Sequence, residues 1–286
     1  MRKLTSIFLL VLSPHLYGQD NPTQQAQPIV AEGKRLYNSE MASWNGTDLF
    51  LENYKDRANI GGYFSYSDNG IAKCIFFSKT DKPKVIGTIS FDSSYNITTA
   101  IADLTERDLS TFENDLYAIR KIALTTVGAD TIFKTYKNTN LNLIPLINGD
   151  EKKVYVLTGP QQNGVVIFGN DYLLTFDKDN NLINSKQLHR NIIPVNYGGK
   201  EEGKEVEGTL HSHAPETGDF ITATDICTLM LYEKFTGWKQ HNVVSKNYLN
   251  IWNCLTNQLT VIPMSTLDKI NKEQEKQDKK KRKDKE

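Results

Sequence analysis

Two histidines one residue apart, His211 and His213, end the run VEGTLHSH (206–213), and nothing else in the 286-residue chain restricts its architecture as much. Alternate side chains of a β-strand share a face, so both imidazoles point to one locus while Ser212 faces away. The loop APETGDFI follows, then a helix predicted from Ala223 to about Phe235, with Asp225 in its first turn. Two imidazoles and a carboxylate fill three positions of a tetrahedral zinc site and leave the fourth for water. Zinc lowers the pKa of such a water and polarises a carbonyl, and a nearby carboxylate can act as general base. Thr222-Ala223-Thr224-Asp225 is equally a helix-capping sequence, and Thr105-Glu106-Arg107-Asp108 repeats that pattern with no histidine nearby.

The stretch GTLHSHAPETGDFITATDI (208–226) resembles the core of the JAMM (MPN-plus) zinc metallopeptidases. The signature of that family is an upstream Glu, then H-x-H, seven residues, Ser, two residues and Asp. The resemblance implies His211, His213 and Asp225 as zinc ligands, with Thr222 at the serine position to orient water or a developing oxyanion. Eight residues, Ala214 to Ile221, separate His213 from Thr222, and Thr stands where the family has Ser. Glu151, just before KKVYVLTG, is the glutamate at the position of the upstream Glu and is expected to act as base. The family's strand, helix and strand order matches VEGTLHSH, ATDICTLMLYEKF and WKQHNVVS. The resemblance covers at most residues 150–262 and is sharp only over 208–226.

Weaker candidates surround this pattern. His241 can supply a fourth ligand from the next strand or sit as an edge-strand histidine; His189 and Arg190 read as a surface loop pair. Cys227, in the first turn of the helix, reads as a buried small residue before it reads as a nucleophile. No Walker phosphate loop is present, and Gly61-Gly62 and Gly198-Gly199 lack the strand-to-helix context of one.

The remainder reads as α+β. Residues 19–28 are a polar, flexible leader, and Ile29 to about Asp56 is helical although Gly33 and Gly46 interrupt it. From Gly62 to about Asp103, short β-rich runs separated by turn residues form an antiparallel meander. The Thr105 capping sequence begins a helix to about Val127, and strands return after a boundary near residue 149. The expected fold class is therefore an N-terminal helix and antiparallel β-meander (29–149) followed by a mixed α/β C-terminal domain (150–267). The resemblance makes that second domain JAMM-like, hence cytidine-deaminase-like. Residues 268–286 are expected to be a disordered tail, whose basic run Lys279 to Lys283 can contact anionic surfaces.

Residues 1–18 carry Arg2-Lys3, an apolar run Ile7 to Leu12 and a terminal Gly18, the pattern of a signal peptide, so the mature chain is expected to be secreted or periplasmic. Three cysteines, Cys74, Cys227 and Cys254, allow one disulfide and one thiol or three buried thiols. Charges balance at 34 against 34, but the leader and tail are basic, leaving 23 basic against 29 acidic residues in 19–268. A mildly acidic body argues against nucleic acid as a partner, and no segment is long enough to span a membrane. The expected function is a zinc-dependent hydrolase that cleaves an amide or isopeptide bond of a peptide or protein through metal-activated water. The alternative is a non-catalytic exported binding or interaction protein with a degenerate JAMM-like fold.

Overall fold

The computed structural model describes residues 21–197 and 206–283. The expected signal peptide and most of the Val195–Glu205 loop lie outside them. Asn21 caps a short helix α1 (Pro22–Gln25), and Thr23 exchanges hydrogen bonds with the backbone of Val261, so the described part of the expected flexible leader is instead docked.

Helix α2 (Gln27–Asn53) buries one stripe, which includes Val30, Leu36, Ala42 and Phe50. Gly33 and Gly46 lie on that stripe and interrupt nothing. A Cβ on Gly33 would sit 2.7 Å from the Ile226 side chain, and one on Gly46 would sit 2.7 Å from Cys74. Both glycines are where partners press against the helix.

Strands β1 (Ile60–Asp68), β2 (Ile71–Ser78), β3 (Val85–Phe91) and β4 (Ile101–Asp103) form the antiparallel meander in the order 1-2-3-4. Asn69 and Gly70, both at positive φ (49° and 81°), make the β1–β2 turn, as a tight hairpin requires. Phe76, Ile89 and Phe91 pack one face of the sheet on Phe50 of α2, while Phe64, Ile75 and Phe77 pack the other on Leu116.

Leu116 belongs to α3 (Thr111–Ala129), which starts later than the sequence predicts. Ser110 and Glu113 form the capping box, and Arg107 lies upstream, bridged to Val85. The Thr105 sequence loses because Arg107 is paired with the Glu113 carboxylate, which also accepts from Ser110 N–H.

Strands β5 (Thr139–Asn148), β6 (Glu151–Pro160), β7 (Val165–Gly169), β8 (Tyr172–Phe176), β9 (Leu182–Gln187) and β10 (Ile192–Asn196) follow. They make an antiparallel sheet of order 5-6-8-9 and a β7–β10 pair. The boundary expected near 149 falls at the β5–β6 turn, inside one sheet, where Gly149 takes φ 58°. Ile119 and Ala123 of α3 cover one face of this sheet; Leu36 of α2 and Ala223 and Cys227 cover the other.

The last sheet, β11 (Gly208–Ser212), β12 (Gln240–Val244), β13 (Tyr248–Asn253) and β14 (Gln258–Pro263), is parallel between β11 and β12 and antiparallel after that. Helix α4 (Ala223–Thr236) is the crossover, buried at every residue from Ala223 to Met230 and stopped by left-handed Gly237. Ile226 and Leu229 pack on Phe168, Trp238, Val243 and Trp252. Residues 268–283 of the expected disordered tail lie in α5 (Met264–Lys283) and are exposed over 268–277. All three cysteines are buried thiols without a disulfide. The chain is thus α+β, and among the described residues no helix is long and apolar enough to cross a membrane.

Candidate metal centre

The edge strand β11 buries one face only. His211 is buried while Leu210 and Ser212 are exposed, and His213 continues the pairing by donating its N–H to Val244 O at 2.9 Å. The alternation in the sequence therefore delivers both imidazoles to the inner side. Asp225 arrives from the first turn of α4. Its Oδ2 accepts from Thr222 Oγ1 at 2.7 Å and Thr222 N–H at 3.0 Å, and its own N–H donates to Thr222 Oγ1 at 3.1 Å. The capping box thus holds the carboxylate still while its outer lone pairs face the histidines, so capping and metal ligation are compatible roles.

His189 completes the group, contrary to its reading as a surface loop residue. It is 5% exposed, just after β9, where Leu188 N–H donates to Asp171 O at 2.7 Å. One nitrogen from each of His189, His211 and His213 and one Asp225 oxygen all lie within 4.8 Å of one another. His189 Nε2 and His213 Nε2 are 3.3 Å apart, and His213 Nε2 is 3.2 Å from Asp225 Oδ2. Asp225 Oδ2 is 3.6 Å from His189 Nε2, and its Oδ1 is 3.7 Å from His211 Nε2. Ligands held 2.0–2.1 Å from a tetrahedral ion are about 3.3–3.4 Å apart, so these spacings suit one small cation. Among the described residues His211 Nε2 and Asp225 Oδ1 are buried with no hydrogen-bond partner, a costly arrangement that a shared cation resolves. The buried group can hold a metal ion.

A second layer orients the rings. His211 Nδ1 lies 2.8 Å from His241 Nε2, whose Nδ1 lies 2.7 Å from Thr209 Oγ1. With His211 Nε2 kept for a ligand, its Nδ1–H donates to His241, and His241 Nδ1–H donates to Thr209. His241 is therefore neither a fourth ligand nor an edge-strand bystander. On the other side, Asp171 Oδ2 is 3.4 Å from His189 Nδ1, and Asp171 Oδ1 accepts from Thr158 N–H at 3.1 Å. Asp171 is aimed by the β7–β8 turn, where Gly169 at φ 80° has Asn191 O 2.2 Å from any added Cβ, so only glycine fits.

Burial pushes His211 down to about 4, the neutral state in which its Nε2 can coordinate, and His241 down to about 3, so that its Nε2 can accept from His211. For His189, burial lowers the pKa, but the carboxylates of Asp225 and Asp171 outweigh it and bring the ring to about 10 in the metal-free chain, so an entering ion must displace that proton. Burial would raise Asp225, but the histidines hold it well below the ordinary carboxylate range. Burial raises Asp171.

Glu151 stands elsewhere. Its side chain is 63% exposed and pairs with Lys153 at 2.9 Å. It begins β6, seven residues or about 23 Å of strand before Thr158, the residue that touches Asp171. The structure thus brings together His211, His213, Asp225 and Thr222, and leaves Glu151 outside. Cys227 is fully buried, and burial raises its thiol well above its ordinary value, in keeping with a packed small residue. Sequence reasoning missed His189 and Asp171, and the only hint was scarcity: the chain has five histidines and four follow the leader.

What the fold and site define is a class: an α+β protein with a buried three-histidine, one-aspartate group able to hold a metal ion. No family model, curated protein or solved structure matches the chain.

Proposed function

We propose that His189, His211, His213 and Asp225 bind one zinc ion as a closed centre, and that the chain is an exported, metal-stabilised binding protein with a degenerate JAMM-like site. The observation that carries this reading is the fourth donor. His189 supplies a protein nitrogen where a hydrolytic site keeps water, and the side chains of His189, His211, His213 and Asp225 are 5%, 2%, 0% and 0% exposed. A nitrogen-rich donor set with one carboxylate favours zinc over calcium or magnesium. The exposed position of Glu151 points the same way, since a general base must reach its water directly or through one bridge. Export is supported by the basic and apolar leader ending at Gly18.

One observation favours the hydrolase as a second reading. A cleft of 380 Å³ lies between α2 and residues 217–223, with Leu188 and Thr222, each a neighbour of a ligand, in its wall. Glu32 faces it, bonded to Lys153 at 3.1 Å and to the Tyr155 hydroxyl. That reading requires His189 to yield its position to water and Glu32, in place of Glu151, to serve as base.

Metal analysis of the purified chain tests the proposal. Near-stoichiometric zinc is expected in the wild type, with loss in His211→Ala and a lower Tm after chelation. Negligible metal in both proteins would sink it. Zinc-dependent cleavage of a peptide or isopeptide substrate by the wild type would replace the closed centre with the hydrolase.

A further inference from the structure

A second site lies where α2 and α4 pass one another, and it shares no residue with the metal group. Trp44 of α2 and Phe235 of α4 are 49% and 57% exposed, and their rings lie nearly parallel, 20° apart with centroids at 6.2 Å. Stacked on each other across the two helices, they still leave about half of their surface in water, a platform open to a ligand. A cleft of 590 Å³ opens beside them. Its walls include Tyr197, Tyr232 and the β6–β7 loop with Gln161, Gln162 and Asn163. A smaller depression of 260 Å³ continues past the same two rings.

We propose that this cleft binds a neutral oligosaccharide. Among the described residues no acidic or basic side chain lines the larger cleft, and Lys234 stands only at the smaller depression, so the described walls favour an uncharged ligand. It offers flat aromatic faces and amides. The faces are rigid and cost little conformational entropy to present, and they suit the apolar C–H face of a sugar ring. Each amide both donates and accepts, as each sugar hydroxyl does. Gln161 Nε2 donates to Asn140 Oδ1 at 2.5 Å and fixes the loop, while the side chains of Gln162 and Asn163 make no hydrogen bond to other described residues.

A proline-rich peptide is the competing ligand for an aromatic groove, since such segments dock between aromatic ridges. The geometry disfavours insertion between Trp44 and Phe235. A proline ring inserted between two parallel rings needs about 7 Å, two carbon contacts of 3.5 Å each. Trp44 and Phe235, with centroids at 6.2 Å, close that slot and leave only their outer faces.

The test titrates the full chain with cellohexaose and chitohexaose, reading tryptophan fluorescence and ligand-observed NMR, with a proline decapeptide as comparison. Saturable binding of at least one sugar is expected, weakened about tenfold or more by Trp44→Ala or by Phe235→Ala. Circular dichroism confirms that each variant remains folded, and two separate truncations keep the test usable if one does not. Three results would overturn the proposal: no saturable binding of either sugar at about 10 mM, binding unchanged in both variants, or tighter binding of the decapeptide at the same aromatic residues.

Discussion

His211 Nδ1 and His241 Nε2 meet at 2.8 Å across the parallel strands β11 and β12, joining a residue that faces the metal group to one that does not. His241 stands opposite Thr209 in the strand register and on the same face, so the chain of contacts from His211 to His241 to Thr209 follows from the pleat. Removing an outer-shell partner of a ligating histidine costs about 10–100-fold in metal affinity. His241→Leu is expected to weaken zinc binding by that amount, and His241→Gln, which restores an acceptor, to recover part of it. Competition with a chromophoric chelator measures both; equal affinity in wild type and His241→Leu would remove His241 from the centre.

The capping box of α3 is a stability device with a pH signature. The buried Glu113 carboxylate accepts from Arg107 at 2.7 and 2.8 Å, from Ser110 N–H at 2.8 Å and from Tyr66 at 2.9 Å. Burial alone would raise its pKa, but these donors bring it to about 2 from an ordinary 4.5. A depressed carboxylate contributes stability that is full above its unfolded value and lost as pH falls through the folded one. Glu113→Gln is therefore expected to cost about 2 kcal/mol at pH 7, discounted because Arg107 is 40% exposed. Denaturant titrations between pH 4.5 and 2 check it: the wild type should lose more stability than the variant across that window.

Glu40 carries the opposite sign. Burial raises it to about 7 against the pull of Arg120. The folded state then holds a proton that the unfolded state has released, so stability falls as pH rises from 4.5 towards 7. Glu40→Gln removes that penalty. The variant should equal the wild type near pH 4 and exceed it at pH 8 by about 2 kcal/mol, less than the full shift gives because the Glu40 side chain is only partly buried. A variant less stable than the wild type at pH 8 would refute this sign.

Gly33 sets how closely α2 lies on α4. An added Cβ would meet the Ile226 side chain at 2.7 Å and Ala223 O at 2.9 Å, both next to the helix turn that presents Asp225. Gly33→Ala is expected to destabilise by about 1–3 kcal/mol, more than the helix-propensity gain of about 1 kcal/mol. Gly128→Ala in α3 meets nothing within 4 Å and serves as the control, expected to be neutral or stabilising. Thermal unfolding of the pair measures the contrast, and equal Tm changes would rule out the close approach.

Much of the local structure was legible. The β1–β4 meander, the β11–α4–β12 order and the capping of Asp225 by Thr222 follow from alternation, turn residues and a capping sequence. These depend on neighbours within a few positions. The start of α3 was not, because Thr105 and Ser110 both head acceptable caps and the choice fell to Arg107, which pairs with Glu113 and bridges to Val85. Gly33 and Gly46 looked like breaks because a sequence does not display the partner that needs the missing side chain.

The candidate site divides the same way. A strand period of two by itself determined that His211 and His213 share a locus, and a capping sequence put Asp225 in the first turn of the next helix. Tertiary structure alone decided that His189 joins them, that Asp171 and His241 stand behind, and that Glu151 does not. The physical reason is range. Periodicity and capping are short-range and written in adjacent residues, whereas the approach of His189 to His213 depends on the β7–β8 turn, the end of β9 and α4 packing together.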